Sequence, residues 1–267
     1  MGNGDTDQPL LASRFDEAIA HGYSWNFGDE DVLATLVAKL LLGQHRHVRK
    51  ILEGVSTDTP TSSAMMMQTT QKKLSPPTQK GKEHRDGWLF QLIAWIGVRI
   101  VDCGQLLISP PHDRPADKGF DALVIVLEKG TRNPLSMMIC EEKATDNARN
   151  KFQQQVLSEF RDCKAGVRDT EIKSELTTML EASHVDDDEV DQFLDQVMWR
   201  RDRAYRVSLT TTNISPDEKF RAGLFKDFDD VIPGASSLRR AETFHVDNLR
   251  KWMDDFATKV SKKLTEL

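Results

Sequence analysis

Residues 119–145, GFDALVIVLEKGTRNPLSMMICEEKAT, decide how this chain is read. Two apolar runs, DALVIVLE (121–128) and LSMMICEEK (135–143), flank GTRNP, whose Gly, Asn and Pro suit a turn, so the spacing predicts a β-hairpin. The first run opens on Asp121 and the second closes on Glu141, Glu142 and Lys143. Successive strand residues point to opposite faces, so Glu141 and Lys143 project together and Glu142 the other way. Pairing about the turn sets positions near 121 opposite positions near 142–143, which brings Asp121 within reach of Glu141 and Lys143. Two carboxylates and an ammonium should therefore share one end of a sheet.

Upstream, EHRDGWLFQLIAWIGVRIV carries Leu89, Leu92, Ile93, Ile96 and Ile100 along one helical face, which predicts a buried amphipathic helix from residue 83. GQLLIS (104–109), bounded by Gly and Pro-Pro, reads as a short strand. Downstream, Asp146 stands where a helix N-cap belongs, ahead of a stripe of Phe152, Val156, Leu157 and Phe160. A charged helical insertion is expected over about 168–200, and its VDDDEVD lacks the spacing and glycine of an EF-hand loop. The β-branched alternation of YRVSLTTT (205–212) predicts another strand. ETFHV reads as a further short strand, and NLRKWMDDFATKV as a closing helix. At the other end, residues 29–52 begin with acids and finish with bases, as a helix dipole favours, giving a helical N-terminal segment over 1–55. Residues 56–82, rich in Ser, Thr, Pro, Gln and Lys, read as a flexible linker, with Met65 to Met67 inside it. The order within residues 83–267 is thus helix, three strands, helix, insertion, strand, closing helix: one α/β domain with helical attachments.

The totals narrow the function classes. At 267 residues the chain can bury a substantial core, and no apolar run approaches the ~18 residues of a membrane span. A polar start without a signal-peptide pattern, and three cysteines (Cys103, Cys140, Cys163) without metal or CxxC spacing, predict reduced thiols in a cytoplasmic protein. A net charge of −6 argues against general polyanion binding, so a nucleic-acid role needs a local basic surface or a bound metal.

Paired acids repel unless a proton or cation intervenes, and hard oxygen donors suit Mg²⁺ or Mn²⁺. Asp121, Glu141 and the backbone carbonyl of Glu142 would hold such an ion, leaving positions for water and a phosphate oxygen. Lys143 would orient the attacking water or neutralise charge developing on the phosphate. That chemistry is phosphodiester hydrolysis. The Glu-x-Lys triplet alone carries little, since Glu171-Ile172-Lys173 is a second instance. Its context carries more, because only the first ends an apolar strand in a hairpin that opens on Asp.

With FDALVIV and MMICEEK in this element order, the chain resembles the core of the PD-(D/E)xK nuclease superfamily, the restriction-endonuclease-like fold, over about residues 83–212. The resemblance implies a mixed central sheet flanked by helices in the order α-β-β-β-α-β. It places the family's two acids on Asp121 and Glu141 and its lysine on Lys143. An additional acid on the preceding helix would be Glu83 or Asp86, and nucleic-acid contacts on the following helix would fall to Arg149, Gln153 and Gln154. Phe120 stands where the family pattern has Pro, and the long insertion before the fourth strand departs from it.

Each reading has a plainer counterpart. The acid–lysine group is otherwise a solvated strand end with a cross-strand ion pair, and first-turn acids are ordinary dipole partners. WRRDRAYR (199–206), with Arg200, Arg201 and Arg203 between aromatics, suits a phosphate backbone with stacked bases, or an ion-paired surface facing VDDDEVD. His45 and His47, two apart on a helix, suit a surface basic patch better than a metal. The expectation is a Mg²⁺-dependent nuclease acting on DNA before RNA. Lacking a DNA-reading module, it would work with a helicase or ATPase subunit, as an effector of prokaryotic anti-phage defence in analogy with superfamily members. A homodimer would supply two centres for cutting a duplex. The alternative is an inactive nuclease-fold adaptor whose acids are structural.

Overall fold

The computed structural model describes residues 8–55, 58, 60–101, 106–115, 120–130, 133–200 and 203–267, the side chains of 199 and 200 aside. Its strands are β1 (Leu10–Asp16), β2 (His21–Phe27), β3 (Leu106–Ile108), β4 (Ala122–Leu127), β5 (Pro134–Lys143), β6 (Arg203–Thr211) and β7 (Arg239–His245). Its α-helices are α1 (Glu30–Leu41), α2 (His45–Leu52), α3 (Ala64–Leu74), α4 (Gln79–Val101), α5 (Ala148–Lys151), α6 (Leu157–Ala165), α7 (Asp169–Ala182), α8 (Asp187–Asp195), α9 (Glu218–Leu224), α10 (Phe228–Val231) and α11 (Leu249–Glu266). A π-helical turn, Phe152–Val156, joins α5 to α6, and another, Gln196–Arg200, follows α8.

Seven strands form one mixed sheet in the order β1-β2-β7-β6-β5-β4-β3. The centre from β2 through β7 and β6 to β5 is parallel, while both flanks, β1–β2 and β3–β4–β5, are antiparallel. The predicted hairpin forms close to the expected register: Ala122 lies opposite Cys140, which sets Asp121 opposite Glu141 rather than near 142–143. Its turn residues 131 and 132 lie outside the described residues, and the Glu128 N–H donates to the Asn133 carbonyl at 2.8 Å across the gap. Period-two alternation divides the core. Ala122, Val124, Met138 and Cys140 face α1, α4 and α11, whereas Leu123, Ile125, Met137 and Ile139 face α6, α7 and α8. Burying Phe152, Val156, Leu157 and Phe160 anchors the helix after β5, as the stripe predicts.

Four expectations change. The N-terminal segment is not solely helical, because β1 and β2 join the same sheet as the hairpin. Gly22 permits this: a Cβ there would meet the Ala241 carbonyl oxygen at 1.8 Å, so only glycine lets β2 lie against β7. The expected helix over 29–52 is two, α1 and α2, divided where Gly43 adopts φ +72°, the left-handed conformation that closes a helix. Residues 56–82 are not simply a linker: Ser63 caps α3 by accepting from the Met66 N–H, and α4 already begins at Gln79. Finally, Asn147 rather than Asp146 caps α5, accepting from the Asn150 N–H at 3.2 Å.

Candidate active site

Asp121 stands one residue before β4, and the hairpin register brings it beside Glu141 at the end of β5. The Lys143 ammonium lies 2.7 Å from Glu141 Oε2 and 3.5 Å from Asp121 Oδ2. Asp121 Oδ2 also accepts the Glu142 backbone N–H at 2.6 Å, while Oδ1 accepts from the Gln91 side-chain amide on α4. Glu159 of α6 completes the group, its Oε1 3.9 Å from Lys143 Nζ. Side-chain exposure is graded: 2% at Glu141, 10% at Asp121, 21% at Lys143 and 38% at Glu159. The site therefore has a buried acid at its floor and opens to solvent past the lysine.

Glu142 points to the opposite face, as strand alternation requires. There Arg206 bonds it at 2.7 Å and bonds Glu242 at 2.6 Å, and Glu242 also accepts from Arg240 at 2.6 Å and from the Trp25 indole at 3.0 Å. Arg206 further donates to the Ala94 carbonyl of α4. This buried network fixes the end of β5 between sheet and helix. Within a strand, one residue's N–H and C=O face the same neighbour. The N–H of Glu142 faces Asp121, and so does its carbonyl.

Burial, reinforced by the Asp121 charge, pushes the Glu141 carboxyl well above the usual carboxylate range, with Lys143 opposing. Burial alone would lower Lys143, yet Glu141, Asp121 and Glu159 together hold it above its ordinary value. Glu142 is lifted by burial to about 8, against the pull of Arg206. Burial works on Glu242 in the same sense, but Arg206 and Arg240 hold it down at about 2. Burial pushes the Cys163 thiol up to about 12 and Cys140 higher still, so neither is a poised nucleophile. Cys103 lies outside the described residues.

The other anticipated residues fall elsewhere. Glu83 is exposed beside Gln79, and the buried Asp86 is committed to Arg85 and Arg250, tying α4 to α11. Gln91 is the α4 residue that reaches Asp121. Arg149 is bonded to Asp227 and to the Leu224 and Lys226 carbonyls, while Gln153 and Gln154 are exposed on the π-helical turn. Arg203, read as a nucleic-acid contact, is buried and bonded to Asp169 and two carbonyls. With Tyr205 and Arg206 also interior, these residues are no binding surface. Arg201 and the side chain of Arg200 lie outside the described residues. His47, expected on the surface, is buried against Lys39 at 3.3 Å. Sequence reasoning missed Gln91, although a lone amide within WLFQLIAWI was a signal, and Glu159, for which nothing local was.

Glu141 Oε1 is buried without a well-formed hydrogen bond, and the Asp121 and Glu159 carboxyls lie close enough to raise Glu141, an oxygen-rich setting that suits a hard cation. Among the described residues no group of three or more His, Cys, Asp or Glu side chains is arranged to hold a metal ion. A divalent ion here would take side-chain oxygens from Asp121 and Glu141, with backbone, water and substrate completing its shell, as Mg²⁺ commonly does. Neither a family model nor a curated protein matches the chain. No helix among the described residues is long and apolar enough to cross a membrane.

Proposed function

We propose that the chain is a Mg²⁺- or Mn²⁺-dependent nuclease of restriction-endonuclease-like type that hydrolyses phosphodiester bonds of DNA. The observation that carries this reading is the convergence of Asp121, Glu141 and Lys143, the ammonium lying 2.7 Å from Glu141 Oε2 and 3.5 Å from Asp121 Oδ2. Asp121 and Glu141, with the Glu142 carbonyl, are the oxygens that would hold the ion. When bound, the ion supplies charge stabilisation at the phosphate and an activated water. Gln91 and the Glu142 N–H keep the Asp121 carboxylate oriented. Lys143 balances the charge of both acids and, at 21% exposure, can reach a phosphate oxygen.

A net charge of −6 opposes unaided approach to a polyanion. We therefore assign the chain a recruiting partner of helicase or ATPase type, with two copies needed for cutting both strands and a defence effector as the setting by analogy. A second reading, an inactive nuclease-fold adaptor, draws on the ion pairs by which Lys143 already answers Glu141 and Asp121. Incubating the purified protein with plasmid and linear DNA, with Mg²⁺, Mn²⁺ or EDTA, separates the two. Metal-dependent cleavage that disappears in Lys143→Ala and Asp121→Ala supports the nuclease. Absence of cleavage with every cation, nucleic acid and partner supports the adaptor.

A further inference from the structure

Two residues past Lys143, strand β5 leads into a cleft of about 590 Å³ at the carboxyl ends of β5, β6 and β7. Open α/β sheets bind ligands at that end of their parallel strands. Thr145 and Thr210–Thr212 form one side, Phe220 and Leu224 of α9 the other, and Leu249 at the start of the 18-residue helix α11 closes it. Phe220 is half-buried, so part of its ring remains accessible. Of the acids at the rim, Asp146 pairs with Arg250 at 3.3 Å, while Asp217 caps α9 through the Phe220 N–H, a bond that brings no cation. Arg149 is held by Asp227. Lys219, exposed at the rim, has no carboxylate partner among the described residues.

The Thr210 hydroxyl is engaged with Thr145, and the Thr145 and Thr211 hydroxyls accept the Asn147 and Asn213 N–H groups, so the cleft combines an aromatic face and apolar walls with the exposed Thr212 and the Lys219 ammonium. A flat apolar body carrying an anion fits that mixture, and a nucleotide is such a molecule. Thr145 lies two residues beyond Lys143, about 7 Å at ~3.3 Å per extended residue, so the cleft adjoins the candidate site.

We propose that this cleft takes an unpaired nucleotide of the same strand whose phosphodiester lies at Asp121, Glu141 and Lys143. Its base packs on Phe220 and its phosphate faces Lys219 and the exposed Thr212. The inference rests on the nuclease reading for the identity of the strand and deepens it: a base stacked in a duplex cannot enter, so the substrate is single-stranded, an end or a flap.

Fluorescence anisotropy in EDTA, with a labelled single-stranded DNA oligonucleotide and the matched duplex, tests it without cleavage. The wild-type chain should bind the single strand at least tenfold more tightly. Phe220→Ala should weaken single-strand binding about tenfold and leave duplex binding unchanged. Lys219→Glu, at an exposed position, should weaken it and lower the slope of log affinity against log salt by about one. Equal affinity for both forms, no binding of either, or wild-type binding by both folded variants overturns the proposal; the last is also the outcome if the cleft serves a peptide. Cleavage without discrimination sinks the cleft alone, whereas Phe220-dependent binding by a chain that never cuts sinks the nuclease reading alone.

Discussion

The Lys143 ammonium sits 2.7 Å from the Glu141 carboxylate, which is only 2% exposed. A buried carboxylate this close to a second acid stays ionised only beside a cation, and Lys143 is that cation within the chain. Replacing it with Met should lower the unfolding free energy by about 3 kcal/mol at neutral pH, because an unpaired charge remains buried. The loss should shrink as the pH falls and Glu141 takes up a proton instead. Urea titrations at pH 5 and pH 8 check this, and adding Glu141→Gln to Lys143→Met should recover most of the stability. A loss of equal size at both pH values would speak against the pairing.

Burial raises the Glu141 carboxyl above the usual carboxylate range, so a divalent ion there competes with protons. Mn²⁺ affinity should therefore rise with pH, and binding should release a proton. Calorimetry in buffers of different ionisation enthalpy reads that proton directly. Affinity that is flat from pH 5.5 to 8 would remove Glu141 from the ion's shell.

Gln91 holds Asp121 from outside the ion's own oxygens. Groups that orient ligands commonly contribute 10–100-fold to metal affinity. Gln91→Ala should weaken Mn²⁺ binding by about that factor while leaving the fold intact by circular dichroism. Wild-type affinity in this variant would show that Asp121 is oriented by the Glu142 N–H alone.

On the far face of β5, Arg206 answers both Glu142 and Glu242. Arg206→Met should cost about 3–5 kcal/mol, since the buried Glu242 carboxylate loses one of its two cations and Glu142 loses its hydrogen-bond donor. The pH dependence has a definite sign. Glu142, raised to about 8, contributes stability that is complete below the ordinary carboxylate range and is lost as the pH climbs through 8. Glu242, lowered to about 2, contributes stability that is present above the ordinary range and is lost as the pH falls towards 2. Unfolding free energy should thus decline between about pH 5 and 8, and Glu142→Gln should flatten that decline. An unchanged slope in the variant would assign the decline to other groups.

What was legible in the sequence was local. The hairpin, its register to within one or two residues and the shared side of Glu141 and Lys143 follow from a period of two over adjacent runs. What was not legible depends on distant partners. β2 is a strand because Tyr23 pairs with Glu242, more than 200 residues away, through a contact that only Gly22 allows. Arg203 and Arg206 read as surface because their counter-charges, Asp169, Glu142 and Glu242, are scattered along the chain. His47 packs inward beside Lys39 of the preceding helix, a contact that its own stretch of sequence does not announce. Glu159 reaches the site only through the packing of α6 on β5, which no nearby residue announces.

The central claim is that Asp121 and Glu141 together bind a divalent ion. Titrating Mn²⁺ into wild-type protein, Asp121→Asn and Glu141→Gln, with free ion read by electron paramagnetic resonance, tests it most directly. The account predicts saturable binding by the wild type at pH 8 and at least tenfold weaker binding by each variant. Equal binding by all three, or none by the wild type with nucleic acid present, would contradict it.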